Sequence, residues 1–85
     1  MKKGDLRRQA ILDTAEALFF ERGYEETSVQ DILDAMELSK GGFYHHFESK
    51  MAVLEAVSAR RAERKFTQAA RELRASSLGA HAFQV

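Results

Sequence analysis

Apolar residues recur at Ile11, Ala15, Leu18 and Phe19, the i, i+4, i+7, i+8 spacing that lays one stripe along an α-helix. Leu12 widens the stripe, while Asp13, Glu16 and Glu21 fall off it towards solvent. The pattern therefore predicts a scaffold helix from Asp5 to Arg22. Gly23 supplies a residue able to take the left-handed conformation that ends a helix, and Tyr24 folds back over the last turn. A second helix opens at Ser28, where Ser28 and Asp31 fit a capping box, and it buries Val29, Ile32, Leu33 and Met36. Glu37 and Leu38 form a turn, with Leu38 pointing inward. Ser39 then caps a short helix whose Phe43 and Phe47, four residues apart, share the buried face. Glu48 and Ser49 end it, and Ser49 caps a fourth helix from Lys50 through Val53, Leu54, Val57, Ala62, Phe66, Ala69, Ala70 and Leu73. That helix is longer than a three-helix core can cover. From Ala75 to Val85 no period is clear, which leaves a loop, a further helix or an artificial end open.

The predicted fold class is all-α: a three-helix, homeodomain-like helix-turn-helix domain over residues 1–57, followed by a longer fourth helix. Residues 58–85 read as a connecting helix and the start of a C-terminal region. The composition agrees, since proline is absent and there is no strand-like alternation. With 85 residues the chain is one small domain, expected to be only marginally stable. No cysteine is present, so neither a disulfide framework nor a thiolate metal site is available. No apolar run approaches the roughly 20 residues that span a bilayer, and the start lacks a secretory segment, so a cytoplasmic protein without membrane contact is expected.

Net charge is zero, which by itself counts against a nucleic-acid partner. The charge is unevenly spread, however. Met1 to Phe47 hold six Lys/Arg and nine Asp/Glu, a net of 6 − 9 = −3, and Glu48 to Val85 hold seven and four, a net of 7 − 4 = +3. A nucleic-acid surface on this chain must be a local basic patch. The start of the chain offers one, with Lys2 and Lys3 followed by Arg7 and Arg8. That stretch reads either as a solvated tail or as an arm lying along phosphates.

The stretch Ser39 to Phe47 carries the candidate chemistry. Two glycines in a first helical turn cost roughly 1 kcal/mol each against alanine, a cost accepted where a ligand or backbone comes close. A helix, a short turn and a second helix with a polar, glycine-softened front have the geometry of a helix-turn-helix whose second helix enters a DNA groove.

The spaced array Ile11-Leu12, Ala15, Leu18-Phe19, Gly23-Tyr24, Thr27-Ser28-Val29, Ile32, then Leu38-Ser39-Lys40-Gly41, Phe43-Tyr44, His46-Phe47, Lys50 and Leu54 resembles the N-terminal DNA-binding domain of the tetracycline-repressor (TetR) family of bacterial transcription regulators. The resemblance covers roughly Arg7 to Val57. It implies a transcriptional regulator, expected to be a repressor, that reads a palindromic operator in double-stranded DNA through the recognition helix Ser39–Phe47. It also implies a homodimer in the intact regulator, and a C-terminal helical domain for dimerisation and a small-molecule inducer, of which these residues hold at most the beginning. Such a regulator is nucleoid-associated when bound to DNA. Two departures stand out: Glu37 occupies a turn position where the family commonly has glycine at positive φ, and Leu33 and Met36 stand where it favours small residues.

Within that frame Lys40 is the candidate base contact, to guanine O6 or N7. Ser39, Gly41 and Gly42 bring free amides towards the DNA, and the glycines let the helix sit deep in the major groove. Tyr44 offers its hydroxyl to a phosphate, and His45 reads a base or touches the backbone. His46 is expected at the helix–helix junction. Thr27 and Ser28 can bond a phosphate as well as cap, although capping alone accounts equally well for Ser28. Gln30 reaches towards the groove edge. Lys50 sits where the helix dipole disfavours a cation, which a phosphate opposite would explain. The adjacent histidines make a poor metal site, so neither metal nor cofactor is expected. An enzyme is not expected, for want of a phosphate loop, a nucleophile elbow or a sheltered carboxylate pair. The alternative is a small helical protein-interaction module without DNA binding. Like charge on Arg60, Arg61, Arg64 and Lys65 beside Phe66 leads us to expect a monomer or weak dimer for this chain alone.

Overall fold

The computed structural model describes the backbone of residues 3–83 and the side chains of residues 3–75. Four helices follow one another: α1 (Lys3–Arg22), α2 (Val29–Met36), α3 (Lys40–Tyr44) and α4 (Lys50–Phe83). The all-α class and the helix-turn-helix with a longer last helix are as the apolar periodicity predicts. Helix α1 starts earlier than expected, so Lys3 and Gly4 belong to it; Met1 and Lys2 of the basic arm lie outside the described residues.

Each helix start and stop has a local cause. Ser28 caps α2 by accepting from the Asp31 amide at 3.0 Å, while Asp31 Oδ2 accepts from the Ser28 amide at 2.9 Å, completing the capping box. Ser39 caps α3 by accepting from the Gly42 amide at 3.1 Å, and Ser49 caps α4 by accepting from the Ala52 amide at 3.1 Å. Gly23, at φ 96°, ends α1 with its amide donating to Phe19 O at 2.9 Å. Tyr24 does fold back, its ring 5.2 Å from that of Phe19.

Helix α2 ends in a Schellman motif. The Leu38 amide reaches back to Leu33 O at 2.9 Å and the Glu37 amide to Asp34 O at 3.4 Å. This closure forces Glu37 into the left-handed region, φ 53° and ψ 42°. A left-handed L-residue costs about 1–2 kcal/mol, and glycine gives back about 0.4–1 kcal/mol of that through its freer unfolded chain. Glu37→Gly should therefore stabilise the domain by about 0.5–1 kcal/mol, a rise in melting temperature of roughly 2–8 °C. Thermal unfolding followed by circular dichroism tests this; a lower midpoint would mean that the Glu37 side chain contributes more than the strain removes.

Helix α1 packs on both α2 and α4, and the core is formed by Ile11, Leu12, Ala15, Ile32, Leu33, Phe43, Phe47, Val53 and Val57. Leu33 and Met36, bulkier than the resembled pattern, are accommodated: Leu33 is buried and Met36 packs against the core. Arg60 of α4 adds an electrostatic brace to α1, its guanidinium 2.8 Å from Asp13 Oδ1 and 3.5 Å from Glu16 Oε2, with Arg64 3.3 Å from Glu16 Oε1. Helix α4 continues without a break to Phe83, so no new element begins within 75–83 and the irregular pattern there does not make a loop. Beyond the core it projects alone, which is why the radius of gyration is 17.8 Å rather than the roughly 12 Å of a compact chain this long.

Candidate nucleic-acid interface

The turn and the short helix α3 set the site. Phe43 is fully buried and Phe47 nearly so, their rings 6.1 Å apart. They pin α3 from beneath, and the polar residues around them face outward: Lys40, Gly41, Tyr44 and His45 are exposed, as is Ser39 before them. Tyr44 lies edge-on to Phe43 with half its surface in solvent. The helix is five residues long, followed by a further turn in which the Phe47 amide donates to Phe43 O at 3.0 Å. Ser39 spends its acceptor on Gly42, so the Gly42 amide is not free for DNA.

The two glycines have different causes. A Cβ on Gly42 would lie 2.8 Å from Leu38 Cδ1 and 3.3 Å from Ser39 Oγ, so its missing side chain makes room for the inward-pointing Leu38. A Cβ on Gly41 would meet nothing within 4 Å. The close-approach argument is therefore left to Gly41, while at Gly42 the neighbouring turn itself occupies the space a side chain would need.

The end of α3 meets the start of α1. The His46 ring is half-buried, its Cε1 3.9 Å from where a Gly4 Cβ would stand, so His46 does sit at the helix junction. Arg8 lies over the Phe47 ring at 5.0 Å, and His45 stands edge-on to His46 at 4.9 Å. This brings Arg8, and with it the exposed basic start of α1, beside the turn that holds His45, His46 and Phe47. Arg8 belongs to the basic start that the sequence offered as an arm along phosphates, and its seat over Phe47 is what the pattern along the chain did not show. The basic residues of α4 are mostly committed elsewhere, Arg60 and Arg64 to carboxylates and Arg61 to the Phe20 ring at 4.2 Å.

At α2, Ser28 and Gln30 are exposed. Gln30 Nε2 donates to Asp34 Oδ1 at 2.8 Å. The Asp31 carboxyl is held below its usual pKa, first by the Ser28 amide that it accepts from, then by the Ser28 hydroxyl and Arg22. Arg22 Nη1 lies 3.5 Å from it. Two residues expected at the interface have their polar groups turned inward. Thr27 is fully buried, its hydroxyl 2.8 Å from Gly23 O and 3.3 Å from Leu18 O, because the loop must satisfy carbonyls left open at the end of α1. It cannot reach a phosphate. Lys50 points inward as well, its Nζ donating to Tyr24 O at 2.9 Å and to Thr27 O at 3.0 Å, over the Tyr24 ring. Backbone carbonyls, not a phosphate, explain the lysine at the start of α4.

Residues 11–57 match the family model described as bacterial regulatory proteins, tetR family. The chain belongs to the tetR family. Among the tetR-family chain's relatives, the HTH-type transcriptional repressor KstR2 of Rhodococcus jostii is 45% identical over 51 residues, 60% of this chain and 25% of its own length. The HTH-type transcriptional repressor DhaR of a Mycobacterium species is 51% identical over 45 residues, 53% of this chain and 23% of its own. The HTH-type transcriptional repressor Rv1474c of Mycobacterium tuberculosis is 38% identical over 66 residues, 78% of this chain and 35% of its own. This tetR-family chain thus spans 23% to 35% of the length of these relatives. No solved structure matches it significantly. Among the described residues no helix is long and apolar enough to cross a membrane, and no three His, Cys, Asp or Glu gather as a metal site.

Proposed function

We propose that this chain is the DNA-reading part of a transcriptional repressor, and that the face of α3 bearing Lys40, Gly41, Tyr44 and His45 enters the major groove of a palindromic operator. The observation that carries this reading is the division of α3: Phe43 and Phe47 are buried beneath while the polar residues beside them are exposed next to the basic start of α1. Lys40 reads a base edge. Ser39, Tyr44, His45 and Ser28 contact the phosphate backbone, Gln30 reaches the groove edge, and Lys3, Arg7 and Arg8 supply the local positive charge that a neutral chain needs. The regulator acts as a homodimer at the nucleoid, with its dimerisation surface and any inducer site in the length that its relatives have beyond this chain.

Selection of duplexes from a random pool, with this chain fused after Leu73 to a parallel dimeric partner, tests the reading. It should enrich two inverted half-sites about 34 Å, one turn of DNA, or a multiple of that apart. On the selected duplex Lys40→Ala should lose about 1–3 kcal/mol and relax preference at roughly one or two base pairs. Anisotropy titrations against single-base variants check this. An equal loss on every sequence would make Lys40 a phosphate contact instead.

A further inference from the structure

We propose that Lys50 is a positioning residue for DNA contact, setting the start of α2 from inside the protein without touching the phosphate backbone. Its functional half rests on the DNA-binding reading above; its structural half rests on geometry alone. The ammonium has three N–H donors. One points to Tyr24 O at 2.9 Å and one to Thr27 O at 3.0 Å, and the charge stands over the Tyr24 ring, 4.1 Å from its centroid. A side chain held in this way turns to a phosphate only by abandoning part-buried carbonyls, which is unfavourable.

The placement also runs against the helix dipole, because Lys50 is the first residue of α4. The two carbonyls offset this. Both belong to the tight turn that leads out of α1, which the Thr27 amide closes onto Tyr24 O at 3.2 Å. The Thr27 carbonyl is part of the peptide that continues into Ser28, and Ser28 is the cap of α2. One run of contacts therefore joins the Lys50 ammonium to the Thr27–Ser28 peptide and so to the first turn of α2, which presents Ser28 and Gln30 to solvent. Without the ammonium that peptide keeps its N–H bond to Asp31 but loses the hold on its carbonyl, and the α2 start is fixed less firmly relative to α3. The site asks for a compact cation between two carbonyls, which a broad planar guanidinium does not reproduce.

Two variants separate the roles. Lys50→Met keeps the apolar stem and removes the donors, and Lys50→Arg keeps the charge and changes its shape. In the free protein, hydrogen exchange at the Asp31 amide, which donates to Ser28 Oγ, should speed up about tenfold in Lys50→Met, as expected for one weakened hydrogen bond, while the Val57 amide in the core keeps its protection. Both variants should then bind sheared mixed-sequence duplex DNA about tenfold more weakly, at a temperature where circular dichroism shows them folded, with the log–log salt slope unchanged. A slope lower by about 0.9 in Lys50→Met, with native affinity in Lys50→Arg, would overturn the proposal and make Lys50 a phosphate contact. Native affinity in both folded variants would overturn it too, leaving a purely structural clamp. Failure of the native chain to bind duplex DNA would sink the proposed function, and the Asp31 exchange would still decide whether Lys50 sets the start of α2.

Discussion

Phe43→Ala is expected to remove most of the domain's stability, while Tyr44→Ala, one residue along, keeps it and loses DNA affinity. Phe43 is fully buried and central, touching the rings of Tyr44 and Phe47. Truncating a buried phenylalanine costs about 3–5 kcal/mol. A helical body of this size has roughly 3–8 kcal/mol to lose, at about 0.05–0.15 kcal/mol per residue. Tyr44 loses only an edge contact on a side chain that is half exposed, about 0.5–1.5 kcal/mol. On the proposed reading its hydroxyl donates to a phosphate, and loss of a hydrogen bond to a charged group costs binding about 1.5–3 kcal/mol. Far-ultraviolet circular dichroism and DNA anisotropy on the two variants give the pair of results. A Phe43→Ala chain that loses less than about 2 kcal/mol would mean that α3 can collapse onto the cavity. A Tyr44→Ala that binds DNA like the native chain would take Tyr44 out of the interface.

The contrast between these neighbours shows what the sequence made legible. Four helices, the caps at Ser28, Ser39 and Ser49 and the stop at Gly23 all depend on residues within five positions of one another, whereas the left-handed Glu37 was expected only from the family resemblance. Local spacing carries that information, because caps and apolar stripes are short-range features. The direction of Lys50 was not legible for the opposite reason, and that of Thr27, whose carbonyls are only 4 and 9 residues away, was hidden because the same hydroxyl can serve a phosphate or a carbonyl. Lys50 finds its carbonyls 23 and 26 residues away, and nothing in the local pattern distinguishes a lysine facing a phosphate from one facing a turn. The same holds for Arg60 and Arg64, whose carboxylates are 47 and 48 residues away. Those pairs also change the physics of α4. Like charge was expected to keep two copies of that helix apart, but Arg60 and Arg64 are largely neutralised by Asp13 and Glu16, and this removes much of the repulsion beside exposed Phe66.

Gly41→Ala should make the protein more stable and a poorer DNA binder, whereas Gly42→Ala should do nearly the reverse. Alanine gains about 1 kcal/mol over glycine inside a helix. At Gly41 nothing opposes that gain, since the added methyl meets no atom within 4 Å. The same open space is where the proposed interface brings DNA closest, and a methyl forced into a close-packed contact costs about 1–3 kcal/mol, or roughly 5- to 150-fold in affinity. At Gly42 the methyl would stand 2.8 Å from Leu38 Cδ1, so Leu38 must turn out of the position where it plugs the α2–α3 turn. Overpacking of about 1–3 kcal/mol then cancels or exceeds the propensity gain, and the midpoint should hold or fall. DNA affinity of the folded Gly42→Ala chain should change far less than that of Gly41→Ala, because its methyl points at the protein. Melting temperature and anisotropy measured on both variants give four signs to compare. A Gly41→Ala chain that is stabilised and binds DNA with native affinity would show that no DNA surface approaches there, and the groove-facing side of α3 would have to be reassigned. A stabilised Gly42→Ala would show instead that Leu38 swings aside at little cost, and the choice of glycine at that position would again need the DNA to explain it.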